Sequence, residues 1–179
     1  MFQTIAIISV IFLKFAFPIA IFFFPFLAGW ANFVLDTIDG DILIPLGLKD
    51  STYQPIDKIA DWATYVGMAF AAWRLKWGIR RWIYGLFIFR SVGQLAFLVT
   101  GNEQILFYFP NFLEPLFLIY ATIFFFKKAA ELKAYDFYLK HRWAIWIFVV
   151  LYKMQDEYLT HISNVDRSDL IKNLFRNWF

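Results

Sequence analysis

A long apolar run near the N-terminus constrains this chain more than any other feature. The segment from Ile5 to Leu35 contains a single charged side chain, Lys14. A helix rises about 1.5 Å per residue, and roughly 20 apolar residues cross a hydrocarbon layer of about 30 Å. We therefore expect two crossings, or one crossing followed by a broken helix. Residues 1–10 lack the basic start of a cleaved signal peptide, and we expect them to be retained.

The composition is that of a membrane protein. Hydrophobic residues make up 61% of the chain and aromatic residues 23%, whereas soluble domains average roughly 45–50% apolar residues. The net charge of +3 is small and scattered, so no nucleic-acid partner is expected. The absence of cysteine excludes disulfides, thiolate catalysis and cysteine-ligated metals. We expect an integral, multi-pass membrane protein.

Six apolar segments predict an all-α membrane bundle of about six transmembrane helices. Residues 4–39 hold two of them, with a reversal near residues 22–24, and the others are residues 56–73, 82–100, 104–126 and 143–152. The last is short, which also suits an interfacial or buried helix. A cationic, amphipathic helix is expected on the membrane surface near residues 127–142. One transmembrane domain, residues 1–154, would then precede a polar C-terminal tail, residues 155–179.

Basic residues concentrate on one side of this predicted bundle. If the segments alternate, that side holds Arg74, Lys76, Arg80, Arg81, Lys127, Lys128, Lys133, Lys140 and Arg142. The positive-inside rule then places the acidic loop between the second and third segments on the non-cytoplasmic side. The basic residues of the tail favour the opposite orientation, so the sequence leaves the membrane side open.

Four aspartates flank that acidic loop at helical spacing. Asp36 and Asp39 are three residues apart, and Asp57 and Asp61 are four apart, so each pair shares one helix face. The short connection lets the two faces meet. Four carboxylates in a partly desolvated site repel one another unless protons or cations neutralise them. Two divalent ions would supply the four positive charges.

The ligand chemistry favours Mg²⁺ or Mn²⁺, because the two histidines, His141 and His161, are distant in sequence. A paired-metal site of this kind stabilises in-line displacement at phosphate. Gly40 has no side chain and would let a phosphate or nucleotide approach the helix. Capping of a helix, as by Asp50 or Ser51, and simple exposure, as for Asp41, are the alternatives for single aspartates. The matched spacing of four favours metal binding.

This pattern resembles the signature of the CDP-alcohol phosphatidyltransferase family, D-x-x-D-G-x-x-A-R, eight residues, then G-x-x-x-D-x-x-x-D. Asp36, Asp39 and Gly40 match its first three fixed positions, and Asp57 and Asp61 match its last two with no gap. The resemblance implies a six-helix membrane enzyme that displaces CMP from a CDP-linked lipid or alcohol when an acceptor hydroxyl attacks. It also implies that the first three aspartates ligate two metal ions, while Asp61 completes the metal site and acts as general base.

Three signature positions differ. Leu43 and Ile44 replace the Ala-Arg of the family, and Tyr53 replaces its second Gly. The missing Arg removes a charged partner from the nucleotide site, and Tyr53 adds bulk where close approach is expected. Lys49, in the intervening loop, is the candidate to supply the lost charge.

Other residues carry weaker signals. Arg90 lies within an apolar segment, where it would hold the phosphate of an acceptor or lipid, or pair with Glu103 or Glu114. Lys14 is expected to snorkel or to pair. Gly67 and Ala71, four residues apart, suit close helix packing.

The sequence thus leaves three interpretations open. The first is a divergent CDP-alcohol phosphatidyltransferase that uses Mg²⁺ or Mn²⁺, with membrane lipids and a CDP-linked donor as its partners. The second is a non-catalytic homologue that serves as a structural or lipid-binding subunit of a larger membrane complex. The third is a small membrane protein whose aspartates bind a cation or are exposed. The mature protein would be a homodimer or part of a larger complex.

Overall fold

A computed structural model describes residues 2–102 and 104–161 of the chain, apart from the side chains of residues 50, 160 and 161. All regular secondary structure in these residues is α-helical. The helices are α1 Phe2–Phe23, α2 Pro25–Leu43, α3 Asp50–Arg74, α4 Arg80–Thr100, α5 Gln104–Tyr108, α6 Leu113–Phe126 and α7 Glu131–His161. The all-α fold class is confirmed.

The predicted reversal within the first apolar run lies at Phe24. This single residue separates α1 from α2, and Pro25 begins α2. Proline suits the first turn of a helix, because its missing N–H has no partner there and its φ angle is already helical. The predicted third and fourth segments correspond to α3 and α4.

The second half of the chain differs from the predicted segments. The fifth segment is broken into α5 and α6 by the non-helical residues 109–112, which include Pro110. The predicted surface helix and sixth segment instead form one continuous helix, α7. No proline or glycine interrupts Glu131–His161, so no helix-breaking residue separates the two predicted segments. Residues 162–179 of the predicted tail lie outside the described residues.

The first three helices form a compact unit, because α1 packs against both α2 and α3. Gly67 of α3 lies against the main-chain carbonyl of Pro18 in α1, where a Cβ would clash. Ala71, one turn further along α3, is fully buried. The predicted close packing at these two residues is confirmed. One hydrophobic core, which includes Trp77, joins these three helices to α4, α6 and α7.

In the part of the chain that the structure describes, two helices are long and apolar enough to cross a membrane, α1 and α4. The helix α6 is equally apolar in character but shorter. Large apolar side chains on α1 and α4, such as Phe12, Ile19, Leu95 and Val99, face outward. Exposed apolar surface of this kind is typical of regions that contact a membrane or another protein.

Candidate functional site

Helices α1, α2 and α3 bring one basic and three acidic side chains together, all of them buried except that of Asp36, which is partly exposed. Asp36 and Asp39 lie one turn apart in the second half of α2, and Asp57 lies in the first half of α3. One oxygen from each carboxylate lies within 4.8 Å of the others. The close approach of α1 to α3 at Gly67 also brings Lys14 of α1 to this place. Three of the four aspartates that were predicted to meet, Asp36, Asp39 and Asp57, therefore do so.

The ammonium of Lys14 lies among the three carboxylates. Its Nζ donates to Oδ1 of Asp57 at 2.6 Å and to Oδ2 of Asp39, and lies 3.4 Å from Oδ1 of Asp36. Lys14 is only 3% exposed, and Asp39 is fully buried. In a medium of low dielectric such contacts stabilise all four charged groups against the cost of leaving water. We refer to these four residues as the Lys14 cluster.

Asp61 stands beside the cluster rather than in it. Its Oδ2 is 3.9 Å from Nζ of Lys58, and the same ammonium lies 2.8 Å from Oδ2 of Asp57. The residue predicted to act as general base therefore pairs with a second lysine. Two ammonium groups thus accompany the four predicted carboxylates.

Tyr53 occupies the space beside Gly40 that was predicted to admit a phosphate or nucleotide. The hydroxyl of Tyr53 lies 3.2 Å from the position that a Cβ of Gly40 would take. It donates to Oδ1 of Asp39 at 3.0 Å, and the amide N–H of Gly40 donates to the same oxygen at 2.8 Å. The tyrosine at the second glycine position of the signature thus joins the Lys14 cluster through a hydrogen bond.

Lys49, the residue predicted to supply the charge of the missing Arg, does not contact the carboxylates of the Lys14 cluster. Lys49 immediately precedes α3 and is exposed, and its side chain forms no ion pair with any carboxylate that the structure describes. Ile44, which stands where the family has Arg, is 45% exposed and follows the end of α2. The loop therefore supplies no described cation in place of the missing Arg.

Arg90 has a structural partner that the sequence did not indicate. Its Nη1 donates to the carbonyl of Phe109 at 2.7 Å and lies 3.5 Å from Oε1 of Glu157. Glu157 also accepts from the main-chain N–H of Asn111 at 2.9 Å. The expected partner Glu114 instead accepts from the side chain of Asn111, and Glu103 lies outside the described residues. Arg90 therefore connects α4 to α7 and to the 109–112 turn.

Three carboxylate oxygens at this separation are suitable ligands for Mg²⁺ or Mn²⁺. However, the ammonium of Lys14 lies against the same oxygens that a metal ion would need. A divalent ion placed there would be repelled by this charge at short range. As these side chains are arranged, the site does not fit the pair of ions that the family resemblance implies.

The sequence contained one signal for the role of Lys14. A single charge within a long apolar run is costly unless it is paired, so it implies a carboxylate on a neighbouring helix. For Glu157, which was counted as part of a polar tail, no such signal exists.

Comparison with models of protein families, with curated proteins and with solved structures found no match.

Proposed function

We propose that this chain is a non-catalytic membrane protein with the aspartate framework of a CDP-alcohol phosphatidyltransferase, serving as a structural subunit of a larger membrane complex. Its helices would form the bundle of about six crossings that the sequence predicts. The observation that supports this proposal is the contact of Lys14 with Asp36, Asp39 and Asp57. The ammonium takes the place of metal charge at this position.

Charge balance supports the idea that lysine ammonium groups take the place of metal charge. Four carboxylates need about four positive charges from metal ions, and two ammonium groups already neutralise half of them. The contacts of Lys14 join α1, α2 and α3 without a bound ion, whereas exchangeable metal ions would join them only when bound. A framework held in this way is suited to a structural role.

The crowded approach to Gly40 supports the same proposal. A CDP-linked donor would have to displace Tyr53, whose hydroxyl bonds to Asp39. The guanidinium that the family signature would supply near this place is replaced by the apolar Ile44. Both changes remove features that nucleotide recognition requires, and neither disturbs the helix packing.

The spacing of the aspartates favours a second candidate, the divergent enzyme. Five signature positions match without a gap, and three of the carboxylates converge. This candidate requires Lys14 to leave the cluster when Mg²⁺ or Mn²⁺ binds, and Tyr53 to move away from Gly40. It then predicts that CMP release depends on Asp61.

The test is CMP release from CDP-diacylglycerol by the full chain purified in detergent, with Mg²⁺ or Mn²⁺ and a panel of alcohol acceptors. We expect the wild-type protein to release no more CMP than Asp61→Asn or a protein-free control. Release that depends on metal, and that Asp61→Asn abolishes, would establish the enzyme and refute the structural proposal.

A further inference from the structure

Several helix ends meet at one end of the bundle. The Nη2 of Arg74, at the end of α3, donates to the carbonyl of Phe23, at the end of α1, at 3.4 Å. The main-chain N–H of Gly78, between α3 and α4, donates at 2.6 Å to Oε1 of Glu131 at the start of α7. Because α6 ends just before α7, its end is here too. We call this region, residues 22–26, 74–81 and 124–131, the basic end.

The basic end carries a positive charge that described carboxylates do not neutralise. Its basic residues are Arg74, Lys76, Arg80, Arg81, Lys127 and Lys128. None of these six forms an ion pair with a carboxylate in residues 2–102 and 104–161, whereas Lys14, Lys58, Arg90 and Lys153 do. Glu131, the acidic residue of this region, accepts hydrogen bonds from Gly78 and from the hydroxyl of Tyr120.

Two of these lysines occupy backbone positions that usually hold glycine. Helix α6 ends in a Schellman motif, in which Lys128 N–H donates to Phe125 O and Ala129 N–H donates to Phe124 O, both at 2.9 Å. Lys128 has a φ of 54°. This left-handed conformation is unfavourable for a residue with a Cβ, and glycine adopts it freely.

The other helix ends provide a comparison. Helix α3 ends in the same motif, with Lys76 at a φ of 53°. At the ends of α2 and α4, remote from the basic end, Gly47 and Gly101 have the positive φ angles. In both Schellman motifs of the basic end, at the ends of α3 and α6, a lysine therefore has the left-handed backbone conformation that is less strained for glycine. A cation beside the last helical carbonyls gains from the helix dipole, and it also remains available to an external anion.

An apolar cavity lies directly beside Lys128. Its volume is about 320 Å³, and Lys128 is the charged residue among those that line it. This volume falls within the range of roughly 300–1,000 Å³ that is typical of ligand pockets. Aromatic rings form most of the wall, and two of them, Phe26 and Phe125, stack at 4.3 Å between centroids. The apolar lining includes Phe23, Phe24, Phe26, Leu27, Phe124 and Phe125.

We propose that this cavity binds an anionic phospholipid, with an acyl chain among the aromatic rings and the phosphate at the ammonium of Lys128. A soluble anion would leave the apolar cavity unused, and a lipid without net charge would leave the positive end unneutralised. The six basic residues of the basic end favour the cytoplasmic leaflet under the positive-inside rule, and anionic lipids are found in that leaflet. The site requires membrane embedding, and it is independent of the Lys14 cluster.

The test is the binding of phosphatidylglycerol and of phosphatidylcholine with identical acyl chains to the full chain in detergent, followed by native mass spectrometry. We expect phosphatidylglycerol to bind the wild-type protein more tightly, and Lys128→Gly to lower its affinity about fivefold, as expected for one basic residue at an anionic surface. Glycine fits the left-handed conformation, so this variant should fold at least as well as the wild type. Lys76→Gly is the matched control, because Lys76 holds the same backbone position without lining the cavity.

A loss in Lys76→Gly as large as in Lys128→Gly would overturn the site in favour of general surface attraction. Equal affinity for the two lipids, or displacement of phosphatidylglycerol by equimolar inorganic phosphate, would overturn it as well. Leu27→Trp should fill the cavity and weaken phosphatidylglycerol binding while Lys128 remains. Unchanged binding in this variant would refute the acyl-chain part. None of these measurements depends on CMP release, so the lipid site and the proposed function can fail separately.

Discussion

The Nζ of Lys14 lies 2.6 Å from Oδ1 of Asp57, although the two residues are 43 positions apart in sequence. The same ammonium contacts Asp39 of α2. Lys14 therefore joins three successive helices through charged contacts in the protein interior. Because Asp39 and Asp57 are buried with it, removing Lys14 leaves Asp39 without a cation in a medium that solvates charge poorly.

Replacing Lys14 should destabilise the protein strongly. Lys14→Met keeps the length of the side chain but leaves Asp39 without a cation and Asp57 with Lys58 alone. Breaking a buried pair in this way typically costs about 3–5 kcal/mol. Denaturant unfolding in detergent, followed by circular dichroism, measures the loss. Lys49→Met, at an exposed lysine, is the control and should change stability little. Equal stability of the two variants would show that the Lys14 contacts contribute nothing.

The contact between α1 and α3 should not tolerate a side chain at Gly67. In Gly67→Ala the new Cβ meets the carbonyl of Pro18, so the two helices must separate and overpacking of about 1–3 kcal/mol is expected. Gly85→Ala is the matched control, since no atom lies within 4 Å of the Cβ position there. That change should stabilise α4 by roughly 0.5–1 kcal/mol. Thermal unfolding should therefore shift in opposite directions, and a shift in the same direction would contradict the packing.

The ion pair between Arg90 and Glu157 should appear as a coupling energy. Arg90→Met and Glu157→Gln each disturb a pair with 3.5 Å between Nη1 and Oε1, and contacting residues in one network show coupling of roughly 0.5–3 kcal/mol. A double-mutant cycle on unfolding free energies measures it. Additive effects would indicate that α7 does not dock on α4 through this pair.

The hydroxyl of Tyr53 should contribute modestly to the stability of the fold. Tyr53→Phe removes the 3.0 Å hydrogen bond to Asp39 and should cost about 0.5–1.5 kcal/mol. Tyr108→Phe removes a hydroxyl from a tyrosine that is 72% exposed, and its effect should be near zero. If both variants unfold at the same denaturant concentration as the wild type, the hydroxyl of Tyr53 does not bond to Asp39 of the Lys14 cluster in solution.

The sequence predicted much of the fold because its apolar periodicity and prolines are local signals. Pro25 marked the reversal between α1 and α2. Spacing also predicted that each pair of aspartates shares a helix face, and the short connection between α2 and α3 predicted that the two faces meet. The extent of α7 could not be predicted in this way, because the polar residues between Glu131 and Trp143 suggested a surface segment. The helix is nevertheless continuous there, because no proline or glycine interrupts Glu131–His161.

The sequence predicted the aspartates of the site, but it did not predict that Lys14 lies among them. The aspartates belong to a spaced motif, whereas Lys14 is a single residue whose partners lie on two other helices. Spacing within one helix says nothing about which neighbouring helix approaches it. The position of Tyr53 beside Gly40 likewise depends on how α2 and α3 pack. The sequence showed only that Gly40 matches a signature glycine and that Tyr53 replaces another.

Binding of Mn²⁺ to the purified protein, measured by electron paramagnetic resonance for the wild type and Lys14→Met side by side, tests the central claim most directly. If the ammonium of Lys14 has taken the place of metal charge, the wild type should bind no Mn²⁺ at Asp36, Asp39 and Asp57. Lys14→Met should gain a site that Asp39→Asn in the same background removes. Tight Mn²⁺ binding by the wild-type protein that Asp39→Asn abolishes would contradict the account.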